Sequence, residues 1–113
     1  MAKILIAAQI DVAPESREQA LTSAQPWING ALAQSGCIHY DWSADLSDPA
    51  RINVFEEWEN EEALAAHFGG PQYAGMRAHL GESGLIKAAS RKYRIDAEGP
   101  VYDADRKPTP KFS

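Results

Sequence analysis

With 113 residues, 44% hydrophobic and 24% charged, the chain has the makeup of one globular domain large enough to bury a core. Its net charge of −5 argues against a nucleic-acid partner, which would call for a basic stripe. A single cysteine, Cys37, excludes a disulfide within the chain, and the N-terminal apolar run is too short for a signal peptide or a membrane span, so a cytoplasmic protein with no membrane partner is expected.

Residues 3–12 put Ile4, Ile6, Ala8, Ile10 and Val12 on one face of a first strand, and Leu5 and Ala7 open the other, as in a central strand. Pro14 with Glu15 and Glu18 marks a helix start, where proline's fixed φ and acidic groups suit the first turn. Leu21, Ala24, Ile28, Ala31 and Leu32 continue at helical spacing, and Gly36 suits the left-handed residue beyond a helix end. Pro26 interrupts this run at a cost of about 3 kcal/mol to an unbroken helix. A kink, or two short helices meeting near Gln25, is expected.

Residues 37–45 alternate Ile38, Tyr40, Trp42 and Ala44 against Cys37, His39, Asp41 and Ser43, as a second strand. The turn around Asp48-Pro49 leads into a third strand, residues 51–58, with Ile52, Val54, Glu56 and Trp58 on one face. Asn60 is a helix cap followed by Glu61 and Glu62, and this helix carries Leu64, His67 and Phe68 before stopping at Gly69-Gly70-Pro71. A further helical piece bears Tyr73, Met76, Arg77 and Leu80. Residues 85–96 form a fourth strand with Lys87, Arg91, Lys92 and Arg94. From residue 97 a polar tail follows, whose only apolar handles are Val101, Tyr102 and Phe112.

The order β-α-β-β-α-β, closed by right-handed crossovers, gives an α+β, ferredoxin-like fold: a four-stranded antiparallel sheet with both helices on one face. The other face is left bare and semi-apolar, which predicts a homodimer with sheets meeting face to face. Two regions are expected: a domain of residues 1–96, and a tail of residues 97–113 docking on the body or on a partner subunit.

Gly36-Cys37-Ile38-His39-Tyr40, Asp48-Pro49, Glu56-Glu57-Trp58, Glu62-Ala63 and Ala66-His67 together resemble the antibiotic-biosynthesis monooxygenase family, in which G-C-x-x-Y, an aspartate-proline turn, E-x-W and A-x-x-A-H recur in that order. The resemblance covers residues 1–96 and implies a dimeric α+β barrel with a pocket in each subunit between sheet and helices. Some members oxidise polycyclic phenols or quinols with O₂, using neither metal nor flavin. One branch of the fold binds and degrades haem through a histidine on the second helix. His67 lies where that ligand would be, but the branch's strand-1 asparagine has no counterpart in residues 3–12.

Within this frame His67 is the candidate base or orienter, and Trp58 the candidate stacking wall and N–H donor. A helix histidine bonded to Glu56 or a backbone carbonyl, and a core tryptophan closing a strand, are the structural alternatives. Tyr40, Glu56, Tyr73 and Arg91 are the candidate substrate contacts. Against these stand core packing for the tyrosines, a structural hydrogen bond for Glu56, and an aggregation-resistant basic edge for Arg91. His39, His67 and His79 lack metal-ligand spacing, and no nucleotide-binding glycine motif occurs. The expectation is a cofactor-independent monooxygenase acting on an aromatic phenol, hydroquinone or polyketide. The rival is a dimeric small-molecule-binding or stress protein without catalysis.

Overall fold

A computed structural model describes residues 2–112. Strand β1 (Ile4–Val12) leads through a single 3₁₀ turn, Pro14–Ser16, into helices α1 (Arg17–Ser23) and α2 (Gln25–Leu32). The expected break at Pro26 takes the form of two helices, with the proline in the first turn of α2, where its missing N–H costs nothing. Strands β2 (Cys37–Ala44) and β3 (Arg51–Trp58) form a hairpin, followed by α3 (Glu61–Phe68), α4 (Pro71–Glu82) and β4 (Leu85–Arg94). The sheet order is β2-β3-β1-β4, antiparallel throughout. This is the ferredoxin-like arrangement expected.

Register decides which side chains meet. Ile4, Ile6, Ala8 and Ile10 stand opposite Trp58, Glu56, Val54 and Ile52. Tyr40 and Trp42 stand opposite Glu56 and Val54, so all of these share the face that the helices cover. Two apolar clusters fill the space beneath the helices. One joins Ile10, Val12, Ile52 and Val54 to Ala24, Met76 and Leu80; the other joins Ile4, Ile6, Tyr40 and Trp58 to Ala31 and Leu64.

One expectation about β2 is corrected. Strict alternation puts Cys37 with His39 on the outer face, but a bulge lies between them: Cys37 pairs with Trp58 and His39 with Glu57. The extra residue, Ile38, reverses the alternation and turns Cys37 toward the Tyr40–Trp58 cluster. Just before it, Gly36 adopts φ of +85°, and a Cβ there would press on Ala63 at the start of α3. Gly36 thus serves both the left-handed turn and the close approach of α3.

Asn60 caps α3 by accepting from the Ala63 amide at 2.8 Å. Arg17 ties α1 to the β2–β3 turn by donating to the carbonyls of Asp45, Asp48 and Arg51 at 3.0, 2.8 and 3.2 Å. Helices α2 and α4 pack tightly because Gly75 leaves room for the Trp27 indole edge, which a Cβ would overlap. Beyond β4 the Ile95 amide still bonds to the Lys3 carbonyl at 2.9 Å, and residues 97–112 form an arm exposed almost throughout. The radius of gyration, 15.9 Å, accordingly exceeds the ~13 Å of a compact domain this size.

Candidate functional site

Alternation along β2 and β3 directs Tyr40, Trp42, Glu56 and Trp58 under the helices, and α3 and α4 bring His67, Phe68 and Tyr73 down onto them. The result is an aromatic stack. Trp58 and His67 lie nearly face to face, with ring centroids 4.5 Å apart and planes inclined by 33°. Tyr40 and Tyr73 each meet His67 edge-on, at 5.5 and 5.6 Å. Such pairs contribute about 0.5–1.5 kcal/mol each beyond the area they bury.

Hydrogen bonds fix the polar ends. The Trp58 indole N–H donates to Glu56 Oε1 at 2.9 Å. The imidazole of His67 bonds through Nδ1 to Gln34 Oε1 at 2.7 Å, not to Glu56 or a backbone carbonyl. With the amide oxygen as acceptor, the ring proton sits on Nδ1. Burial lowers the pKa of His67, keeping the imidazole neutral. Burial also raises the pKa of Glu56, and the bond from Trp58 offsets only part of that rise. The Tyr40 hydroxyl is held well above the ordinary phenol range, first by burial and then by the nearby Glu56 charge, so it stays a neutral donor.

A cavity of about 420 Å³ lies between the sheet and α4. Its walls include Tyr40, Trp42, Glu56, Phe68, Tyr73 and Arg77, with Ala88, Ala89 and Ser90 of β4 on the far side. Most of its surface is apolar, with a few convergent polar groups, as in small-molecule sites. Three of the expected substrate contacts, Tyr40, Glu56 and Tyr73, line it together. Trp58 and His67, 0% and 1% exposed, do not; they stand one layer behind, against the lining residues. Arg91 falls elsewhere. Its register partner is Ala7, so it lies on the opposite, uncovered face, beside Phe55 and Asn53 in a separate open hollow.

Residues unmarked by the motifs also contribute. Gln34, which orients His67, sits just past α2 with no local pattern to announce it. Trp42, in the cavity wall, keeps a buried indole N–H that has no hydrogen-bond partner among the described residues. The Arg77 guanidinium lies 5.9 Å from the Tyr73 ring centre, a cation–π contact at the cavity edge. The haem possibility fares poorly. His67 is almost wholly buried, enclosed among the described residues by Trp58, Tyr40, Phe68 and Tyr73 with no ring edge left open to a macrocycle, so these residues do not fit that group.

This geometry belongs to a recognised class. Residues 3–79 match the family described as antibiotic biosynthesis monooxygenase, and the chain belongs to that family. Among curated proteins it is 32% identical over 64 residues to the putative monooxygenase YcnE of Bacillus subtilis, a stretch covering 57% of this chain and 67% of YcnE. It is also 31% identical over 70 residues to the uncharacterized protein sll1783 of Synechocystis, 62% of this chain but only 48% of that protein. The chain thus spans about half the length of that relative. Among solved structures, a conserved protein of unknown function from Bacteroides thetaiotaomicron superposes with a TM-score of 0.74 at 26% identity, covering 83% of this chain and 98% of the other. The family match ends within α4, so β4 and the arm lie outside it.

Proposed function

We propose that the protein is a cofactor-independent monooxygenase that uses O₂ to oxidise a planar phenol, hydroquinone or related polyketide. The supporting observation is the cavity in which a single carboxyl group, Glu56, faces an apolar space and is aimed by the Trp58 indole. Glu56 removes the phenolic proton, and its raised pKa makes it a better match for that proton than an ordinary carboxylate. The electron-rich ring carbon then bonds to O₂. Loss of that carbon's hydrogen, with cleavage of the O–O bond, releases water and leaves an oxygen on the ring. A hydroquinone plus O₂ thereby becomes a hydroxyquinone plus water, and the substrate supplies every electron.

Tyr40 donates a hydrogen bond to the substrate's oxygen, and Tyr73, beside Phe68, covers the ring. Trp58 and His67 are positioning residues: one aims Glu56, and the other, fixed by Gln34, packs between Trp58 and the two tyrosines. The bare sheet face, with Phe55 41% exposed beside Ala7 and Ala89, supports pairing into a homodimer.

Oxygen uptake across a panel of hydroquinones and anthrones tests the catalytic reading. Consumption that depends on the protein and falls in Trp58→Phe and His67→Ala is expected. Turnover unchanged in both variants would remove these two residues from the mechanism. Melting-temperature shifts with the same compounds but no O₂ uptake would replace catalysis with simple binding.

A further inference from the structure

Two tryptophans of the hairpin, Trp42 and Trp58, stand on the helix-covered face, and their N–H groups fare differently. The Trp58 indole donates to Glu56 Oε1 at 2.9 Å, whereas the buried Trp42 N–H donates to nothing among the described residues. An unpartnered buried donor is costly, so its position calls for an explanation. Packing does not supply one. Trp42 touches both apolar clusters, and its ring centroid lies 6.2 Å from that of Tyr40, contacts that a phenylalanine would largely reproduce.

Register places that N–H relative to the carboxyl group. One row across the sheet runs Tyr40, Glu56 and Ile6, and the next runs Trp42, Val54 and Ala8. All of them border the same cavity. Neighbouring rows on one face are roughly 6.6 Å apart, two residues along a strand. The space between Glu56 and Trp42 therefore has a proton acceptor at one end, a donor at the other, and an apolar floor of Val54 and the small Ala8. Tyr40 stands beside both. Its oxygen senses the Trp42 N–H but accepts no hydrogen bond from it, so the indole donor stays free. An indole N–H donates and cannot accept, and what it lacks here is an oxygen with a lone pair.

We propose that Trp42 is a specificity-determining donor of this site: its N–H holds a second oxygen of the substrate while Glu56 takes the proton from the first. The site thereby selects rings that carry two oxygens, hydroquinones or hydroxyaryl ketones, over simple phenols. The inference rests on the substrate pose of the proposed reaction, but it concerns binding and needs no O₂.

Anaerobic titration of the full chain with 1,4-dihydroxynaphthalene and 1-naphthol tests it, because the two differ only in the second oxygen. Wild type is expected to bind the diol about tenfold more tightly, and in Trp42→Phe the two affinities come within about twofold of each other, as loss of one hydrogen bond requires. Indole N–H resonances in a proton–nitrogen correlation spectrum of the unaltered chain give a reading that needs no variant. The diol moves the Trp42 signal downfield, and 1-naphthol does not. Equal affinities in wild type (including no binding of either compound), a preference that survives in Trp42→Phe, or a Trp42 signal that answers both compounds alike overturns the inference. Selective binding without O₂ uptake in air upholds it and removes the monooxygenase reading; O₂ uptake without that selectivity does the reverse.

Discussion

Glu56 is a carboxyl group set in an apolar wall, and its surroundings oppose its charge. Burial raises its folded-state pKa above the ordinary 4.5, so its contribution to stability is complete below that value and fades as pH climbs through the raised one. Glu56→Gln keeps an oxygen to accept the Trp58 indole N–H but removes the titration, so the gap between melting temperatures at pH 5 and pH 8 is expected to narrow; calorimetry at the two values checks it. His67 behaves oppositely. Its lowered pKa contributes stability above 6.5 that is lost as pH falls through the depressed value. His67→Ala opens a void and strands Gln34, at a cost of about 2–4 kcal/mol in denaturant unfolding. The sharing of one face by Tyr40, Glu56 and Trp58 was legible from strand alternation alone. The Gln34 partner was not, because a contact across 33 positions between a helix end and a later helix leaves no periodic trace.

At the scale of elements, the hairpin and α3 hold the site, and Gly36 is where they meet. Gly36→Ala forces a Cβ onto a left-handed residue and toward Ala63. A loss of about 1–3 kcal/mol is expected, read by chemical denaturation, with weakened binding in the cavity. The helix break at Pro26 could be read from the sequence because proline's ring acts locally. The Ile38 bulge could not: it is a mismatch between two strands, and the run Cys37 to Asp41 taken by itself alternates without interruption. That slip moved Cys37 to the helix side. Arg91, a candidate substrate contact by its charge, lies on the other face from Tyr40 and Tyr73 for a related reason, since the register of β4 on β1 sets its face and is invisible within β4's own sequence.

Over the whole molecule, four helices cover one face of a four-stranded sheet, and the cover thins toward β4, whose residues all stay exposed although α4 shares a cavity with it and Glu61 of α3 pairs with Arg94. The candidate cavity therefore lies under α4 with its far wall exposed, and the arm keeps Val101, Tyr102 and Phe112 in water while Glu98 ties its base to Lys3 at 2.9 Å. The sequence pattern made the topology and the bare face readable, because both follow from element order and alternation. How far the helices reach was not readable, because it depends on crossing positions set by contacts such as Trp27 against Gly75. The central claim is that this cavity couples a substrate proton held by Glu56 to O₂. The most direct measurement is single-turnover oxygen consumption with a hydroquinone, comparing wild type and Glu56→Gln. Expected are one O₂ consumed per hydroquinone without hydrogen peroxide, and a rate lower by roughly 10²–10⁴ in the variant. No consumption above the buffer rate, or equal rates in the two proteins, would contradict it.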